Sequence, residues 1–233
     1  VESQTKGGGI TMSRAEILNR IRQGLGRGVA TQQQHDAVMA RINAHKATII
    51  PKRSQLAKPA QIQLFREMAL SASAELIDIE QLTDLPTAVS TWLHKHEFKT
   101  LVSASDACLN ALDWQALGEI TREQRVAKSG DLASLTTSMA GIAETGTLML
   151  HSRPESPTTL NFLPDCHLVL LKESDIVGSY EDAWQKVREQ NPNQMPRTVN
   201  MITGPSRSAD IGQKLLMGAH GPCVLAIFML KDT

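Results

Sequence analysis

From Glu75 onward the sequence alternates short apolar runs with amphipathic stretches, and nothing else in it restricts the fold as much. Glu75 to Ile79, Thr100 to Ala104, Asp131 to Thr137, His167 to Leu171, Val199 to Thr203 and Cys223 to Leu230 read as strands. Leu85 to His96, Asp106 to Leu112, Tyr180 to Gln190 and Ser206 to Met217 read as the helices between them. Several strands are continuously apolar, the pattern of strands buried on both faces. Such alternation predicts an α/β fold: a mostly parallel sheet covered by helices on both sides. No internal repeat interrupts it.

The part before Glu75 is different in kind. Ser13 with Glu16 makes a capping box for a helix carrying Ile17, Leu18, Ile21 and Leu25. Gly24, Gly26 and Gly28 end it, and a second helix is expected over Asp36 to Lys46. Pro51 to Pro59 reads as a basic, polar linker. A third helix follows from Pro59 to Ala72, with Ile62, Phe65, Met68 and Ala69 inward and Pro59 in its first turn. The expected organisation is therefore a leader or extension over 1–11, a basic helical arm over 12–58 and an α/β domain over 59–233. Met12 is the expected natural start.

The chain of 233 residues has no net charge, but the charge is unevenly placed. Through Lys58 there are ten Lys/Arg against three Asp/Glu (+7), and beyond it 14 against 21 (−7). Either the basic arm lies on its own acidic body, or it docks on an acidic partner protein. Aromatic residues are 3% of the chain, which argues against nucleic-acid binding by stacked bases. Cys108, Cys166 and Cys223 form no C-x-x-C, so the chain lacks the thiolates for an iron–sulfur cluster or a structural zinc site. Scattered, odd-numbered thiols fit a reducing, cytoplasmic setting. No apolar run approaches the ~18 residues of a membrane span, and the start lacks the apolar core of a signal peptide.

Two stretches could carry chemistry. In Gly141-Ile142-Ala143-Glu144-Thr145-Gly146-Thr147 a carboxylate sits at a tight bend between two buried strands, with Gly146 relaxing the backbone. A Glu there must be paired, hydrogen-bonded or neutralised, so it is either structural or catalytic. The second stretch, Thr203-Gly204-Pro205-Ser206-Arg207-Ser208, follows a strand and is expected to open a helix. Free amides at such a helix start, with Gly204, Ser206, Arg207 and Ser208, would suit a phosphate or carboxylate; ordinary capping is the alternative. It is neither a Walker loop nor a dinucleotide fingerprint. His220, in Gly218-Ala219-His220-Gly221-Pro222, is a possible acid–base group or simply a turn residue. His151, Arg153 and Asn161-Phe162-Leu163-Pro164 could line a cleft. His94 and His96 are wrongly spaced to share a metal, and no other metal spacing is present.

Taken in order, three passages resemble the LUD domain family, most closely its lactate utilisation protein C branch. They are Gly141 to Thr147, then Leu163-Pro164 with His167-Leu168-Val169, then Thr203 to Ile211 with Gly218 to Pro222. The helix after Met12 is also similar to that family's N-terminus. Ser208 stands where the family commonly has Thr, and Cys223 changes only a strand start. The resemblance implies a three-layer α/β/α sandwich like that of ribose-5-phosphate isomerase, glucosamine-6-phosphate deaminase and CoA-transferases. It also implies a part in oxidising L-lactate to pyruvate beside iron–sulfur partner proteins, which would hold the clusters this chain cannot.

Three readings remain open at this level. The first is a cytoplasmic subunit of a multi-protein lactate-oxidising system, binding a small carboxylate or phosphate in a cleft at the strand ends. There Glu144 and His220 would be catalytic, and Thr145, Gly146, Gly204, Ser206, Arg207 and Ser208 would bind the ligand. The second is a free-standing sugar-phosphate isomerase or CoA-transferase-like enzyme, since Glu144 before a Thr-Gly turn resembles the nucleophile of CoA-transferases. The third is a non-catalytic assembly or regulatory module that makes its contact through the basic arm.

Overall fold

The computed structural model describes residues 13–47, 49–192, 194–211 and 214–232. The leader expected over 1–11 lies outside them. By internal packing the chain divides into two units, Val1–Thr48 and Ile49–Thr233.

The first unit contains α1 (Arg14–Gly24) and α2 (Gln32–Ala44), each opened by a capping box, Ser13 with Glu16 and Thr31 with Gln34. The second helix thus starts earlier than Asp36, because Thr31 and Gln34 supply a start signal that the apolar pattern alone does not show. Neither helix buries a residue.

In the second unit the elements are α3 (Lys58–Ser71), β1 (Glu75–Ile79), α4 (Leu85–Lys95), β2 (Thr100–Ser103), α5 (Ala107–Asn110) and β3 (Thr121–Glu123). Then come β4 (Ala133–Thr137), β5 (Ala140–Ile142), β6 (Thr147–His151), β7 (Cys166–Lys172), β8 (Ile176–Val177) and α6 (Tyr180–Gln190). The last are β9 (Val199–Ile202), β10 (Arg207–Ile211), β11 (Lys214–Met217) and β12 (Val224–Leu230).

Six strands form one all-parallel sheet in the order β1-β12-β7-β4-β2-β3. Its middle strands, β12 and β7, are the continuously apolar runs of the sequence, buried on both faces. Alternation along β7 sends Leu168 and Leu170 into a core shared with Val89 and Leu93 of α4. Val169 and Leu171 point the other way, into a core with Phe65 and Ala69 of α3. That second face also receives Leu148 and Leu150 from a four-stranded sheet of order β8-β5-β6-β9. The outer side of this small sheet, through Ile142 and Met149, packs on Ala183 and Val187 of α6. The fold is therefore the expected α/β arrangement, a mostly parallel sheet between helical layers, with a small sheet inserted on one side.

One expected element is wrong. The described residues between Ser206 and Met217 do not form a helix; β10 and β11 pair antiparallel, Arg207 opposite Met217. The amide of Ser206 donates to the carbonyl of Pro222 at 2.8 Å, and the amide of Gly218 donates to the carbonyl of Ser206 at 2.9 Å. Twelve helical residues would hold those two ends roughly 18 Å apart, so these closing bonds require a hairpin. With no helix beginning at Ser206, the argument for an anion held by a helix start falls away there.

Candidate functional site

Two cavities lie at opposite ends of β7, whose strand direction sets their character. At the carboxyl ends of β4 and β7, a cavity of about 370 Å³ is lined by Thr137, His151, Arg153, Lys172 and Asp175, among others. Parallel α/β sheets place ligands beyond this end of their strands. His151 closes β6, where it stands opposite Val199 of β9, and Arg153 follows two residues on. The Arg153 guanidinium donates from Nε and Nη2 to Asp106 Oδ1, and from Nη2 to Thr137 Oγ1 at 2.7 Å. Its orientation is therefore fixed by a carboxylate and a hydroxyl. Asp175 is paired with Lys186. Lys172 makes no close ion pair among the described residues, although its charge is felt by the Asp232 carboxylate. Burial, followed by the charge of Arg153, pushes the pKa of His151 down, which keeps the imidazole neutral at neutral pH. Its Nδ1 is buried without a hydrogen-bond partner among the described residues.

At the amino end of β7, a cavity of about 240 Å³ opens between the turn after β9 and the turn before β12. His167 forms part of its wall and is completely buried, with Nε2 bonded to Thr136 Oγ1 at 2.8 Å. Asn161, Ser206 and His220 also line it. Gly204 takes a positive φ of 66°, and a Cβ there would come within 2.1 Å of the Ala72 carbonyl oxygen. Only glycine lets this turn sit on the end of α3.

The residues singled out in the sequence divide between places. Gly204, Ser206 and His220 meet in the amino-end cavity, whereas Glu144, Thr145, Gly146, Arg207 and Ser208 line neither cavity. Glu144, with its side chain 12% exposed, accepts from Arg53 Nη2 at 3.2 Å. Arg207 donates from Nη2 to the Ala72 carbonyl at 2.8 Å. Neither Glu144 nor Arg207 thus lines either of these two cavities, and each side chain has a partner of its own. The two motifs are nonetheless joined. Thr147 Oγ1 lies 2.6 Å from both Thr145 Oγ1 and Thr203 Oγ1, and 3.0 Å from the Tyr180 hydroxyl. Gly146 also packs on α3, where a Cβ would meet the Ala69 amide nitrogen at 2.3 Å. Both bends rest on the end of one helix and share a chain of hydroxyls.

Sequence reasoning noted Arg153, His151 and Asn161 only as cleft-lining residues and gave Thr137, Lys172 and His167 no role. For Lys172 a signal existed: a lysine that closes the apolar run from Leu168 to Leu171.

With this geometry in place, comparison with known proteins is decisive at one level. The profile of the LUD domain matches residues 39–229. The chain belongs to the LUD domain family. Within it, similarity to the lactate utilization protein C branch is direct. This LUD domain is 38% identical over 93 residues to lactate utilization protein C of Geobacillus thermodenitrificans, covering 39% of each chain. It is 23% identical over 181 residues to that of Exiguobacterium sp., covering 73% of this chain and 78% of the relative. An uncharacterized protein of Neisseria meningitidis is 42% identical over 100 residues, 42% of each chain. The match thus spans about two fifths of the length of most of these relatives. A solved structure of a DUF162 family protein from Deinococcus radiodurans superimposes with a TM-score of 0.55 at 20% identity, covering 75% of this chain and 99% of that one. That likeness concerns the fold.

The three cysteines of this LUD domain are unbridged. Burial, with the neighbouring Cys223 thiol as a further cause, pushes the Cys166 thiol up to about 12. Among the described residues no group of three or more His, Cys, Asp and Glu could hold a metal ion. None of their helices is long and apolar enough to cross a membrane.

Proposed function

We propose that this LUD domain serves L-lactate utilisation in the cytoplasm, as a subunit that holds the small hydroxy acid or its oxidation product at the carboxyl ends of β4 and β7. The observation that carries this reading is the composition of that cavity's wall: an oriented guanidinium, an ammonium with no close ion pair among the described residues and a neutral imidazole. Arg153 and Lys172 would take the carboxylate, since an oriented guanidinium suits planar oxyanions. Thr137 already accepts from Arg153, which leaves its hydroxyl proton for the ligand. A neutral His151 can accept the proton of a 2-hydroxyl group. The electrons of the oxidation would pass to iron–sulfur proteins that work with this subunit, since its three scattered cysteines do not supply a cluster's four thiolates. The cavity at the helix start envisaged around Arg207 gives way to this one. A free-standing enzyme using Glu144 as nucleophile gains no support, as that carboxylate lines neither cavity.

Calorimetric titration with L-lactate and with pyruvate tests the site. Saturable binding is expected, weakened about tenfold by Lys172→Ala, the equivalent of ~1.4 kcal/mol, and untouched by Arg207→Ala. Equal affinity in wild type and Lys172→Ala would refute the site. The pathway is tested separately, by deleting the gene and growing the cells on L-lactate as sole carbon source. Undiminished growth in a strain without another lactate dehydrogenase would refute that part.

A further inference from the structure

Two of the three free thiols meet at the amino end of the large sheet, where β7 and β12 start. Cys166 opens β7 and pairs in register with Val224, the first residue of β12, so Cys223 stands one place back on the neighbouring chain. The Cys223 amide donates to the Asp165 carbonyl at 2.7 Å, and its thiol donates to the same oxygen at 3.2 Å. Strands ~4.8 Å apart, rising ~3.3 Å per residue, put the Cα atoms of such a diagonal pair about 5.8 Å apart. Disulfides join Cα atoms separated by about 4.4–6.8 Å. Strict alternation would send the two side chains to opposite faces, but Cys223 precedes the strand and belongs to the turn.

The two thiols differ in access. Cys166 is 3% exposed, whereas Cys223 is half-buried. Burial first, then the charge and the hydrogen bonding of Cys223, push the Cys166 thiol up to about 12. Cys166 therefore stays protonated at neutral pH and does not begin an exchange, so an oxidant meets Cys223 first. Cys108 lines the other cavity, at the far end of β7.

We propose that Cys223 and Cys166 form an oxidation site, a dithiol that a low-molecular-weight disulfide converts into a cross-link between β7 and the turn before β12. The Cys223 sulfur attacks one sulfur of the small disulfide, whose S–S bond breaks; one small thiol leaves and takes the Cys223 proton. The Cys166 sulfur then bonds to that of Cys223, and the second small thiol leaves with the Cys166 proton. Two protein thiols are oxidised and one small disulfide is reduced. The change falls on a tightly packed turn, since a Cβ on Gly218 would come within 2.7 Å of the Cys223 Cβ. Drawing the Cys223 sulfur from the Asp165 carbonyl to Cys166 pulls on the turn that closes the β10–β11 hairpin and walls the amino-end cavity.

The test is incubation of the full chain with glutathione disulfide, an acid quench, and mass mapping of a non-reducing digest. The expected product is a chain lighter by two hydrogen atoms, with a peptide linking Cys166 to Cys223 and full reversal by dithiothreitol. Cys223→Ser should slow oxidation of Cys166 by roughly tenfold or more, because its intramolecular partner is lost. Cys108→Ser should leave the cross-link unchanged. The wild-type map needs no substitution and decides the matter if Cys223→Ser does not fold. A glutathione adduct that stays on Cys223, a cross-link through Cys108 or between two chains, or no reaction at Cys223 would each overturn the proposal. None of these readouts involves lactate, so they stand apart from the ligand site at the other end of β7.

Discussion

At the carboxyl end of β7 the cavity wall carries charged side chains, of which Arg153 and Asp175 each pair with an opposite charge, whereas at the amino end the wall has no lysine, arginine, aspartate or glutamate. The ends are five residues apart along the strand, roughly 17 Å, and they draw on opposite faces of it. His167 shares its face with Val169 and Leu171, while Lys172 continues the face of Leu168 and Leu170. One strand thus serves two environments with different rules. Where ions are paired, geometry is fixed by charge and survives without a ligand. Both ends also bury polar atoms that have no partner among the described residues, His151 Nδ1 at one and His167 Nδ1 and Asn161 Oδ1 at the other, and each such atom has a cost in stability.

The largest effect that could break this contrast concerns Arg153. Its removal strands the Asp106 carboxylate, which is 13% exposed in its side chain and already has Oδ2 without a partner among the described residues. Arg153→Ala should therefore destabilise the domain by about 3 kcal/mol, the usual consequence of an uncompensated, largely buried charge. Adding Asp106→Ala should restore a good part of that, as read by urea denaturation. If the double variant is no more stable than the single one, the pair does not set the geometry of this end.

A smaller effect distinguishes the amino end by its pH response. His167 has a folded pKa of about 3, held down by burial, against an unfolded value near ~6.5. Below ~6.5 the unfolded chain takes up a proton that the folded chain refuses, so the stability is full above that pH and falls as pH drops toward 3. The loss should reach ~1.4 kcal/mol at about pH 5.5 and grow with further acidification. His167→Gln lacks this titration. The difference in stability between wild type and that variant should therefore shrink on going from pH 7.5 to 5.5. A constant difference would mean that His167 is not held neutral, and the two ends would lose their clearest distinction.

How much of this was legible beforehand depends on the range of the interactions involved. Periodicity placed β1, β7, β12 and α6 to within a residue or two, because a buried strand or amphipathic helix writes its burial into its own residues. The bend at Glu144 was legible from Gly146, which indeed takes a positive φ of 65°. The β10–β11 hairpin was not, since what decides it is a pair of bonds from Ser206 to Pro222 and Gly218. Nor was the pairing of the small sheet: β9 and the two strands flanking the Glu144 bend were expected, but their partners lie across long stretches of sequence, and β8 has only two residues. The cavities follow the same division. His220, Gly204 and Ser206 stood out as turn residues and do share a cavity. Thr137 and Lys172 are brought together by the parallel alignment of β4 and β7, with Thr137 opposite Leu170, and Arg153 joins them from beyond β6 through its bond to Thr137.

The smallest expected effect bears on Glu144, the residue that belongs to neither end. Arg53 is 61% exposed in its side chain, so its ion pair with Glu144 is largely in solvent and should contribute under ~1 kcal/mol. The backbone has its own anchors here: the Glu144 amide donates to the Gly178 carbonyl at 3.1 Å and that of Ala143 to Val177 at 2.8 Å. The bend should therefore keep its shape when the partner is removed. Arg53→Ala is expected to shift the urea midpoint only slightly and to leave L-lactate affinity unchanged, since Glu144 lines neither cavity. A several-fold change in that affinity, in Arg53→Ala or in Glu144→Gln, would return this carboxylate to the chemistry. The hydroxyls of Thr147 and Thr203 are the route by which it would reach the amino-end cavity, as they connect the bend to that wall.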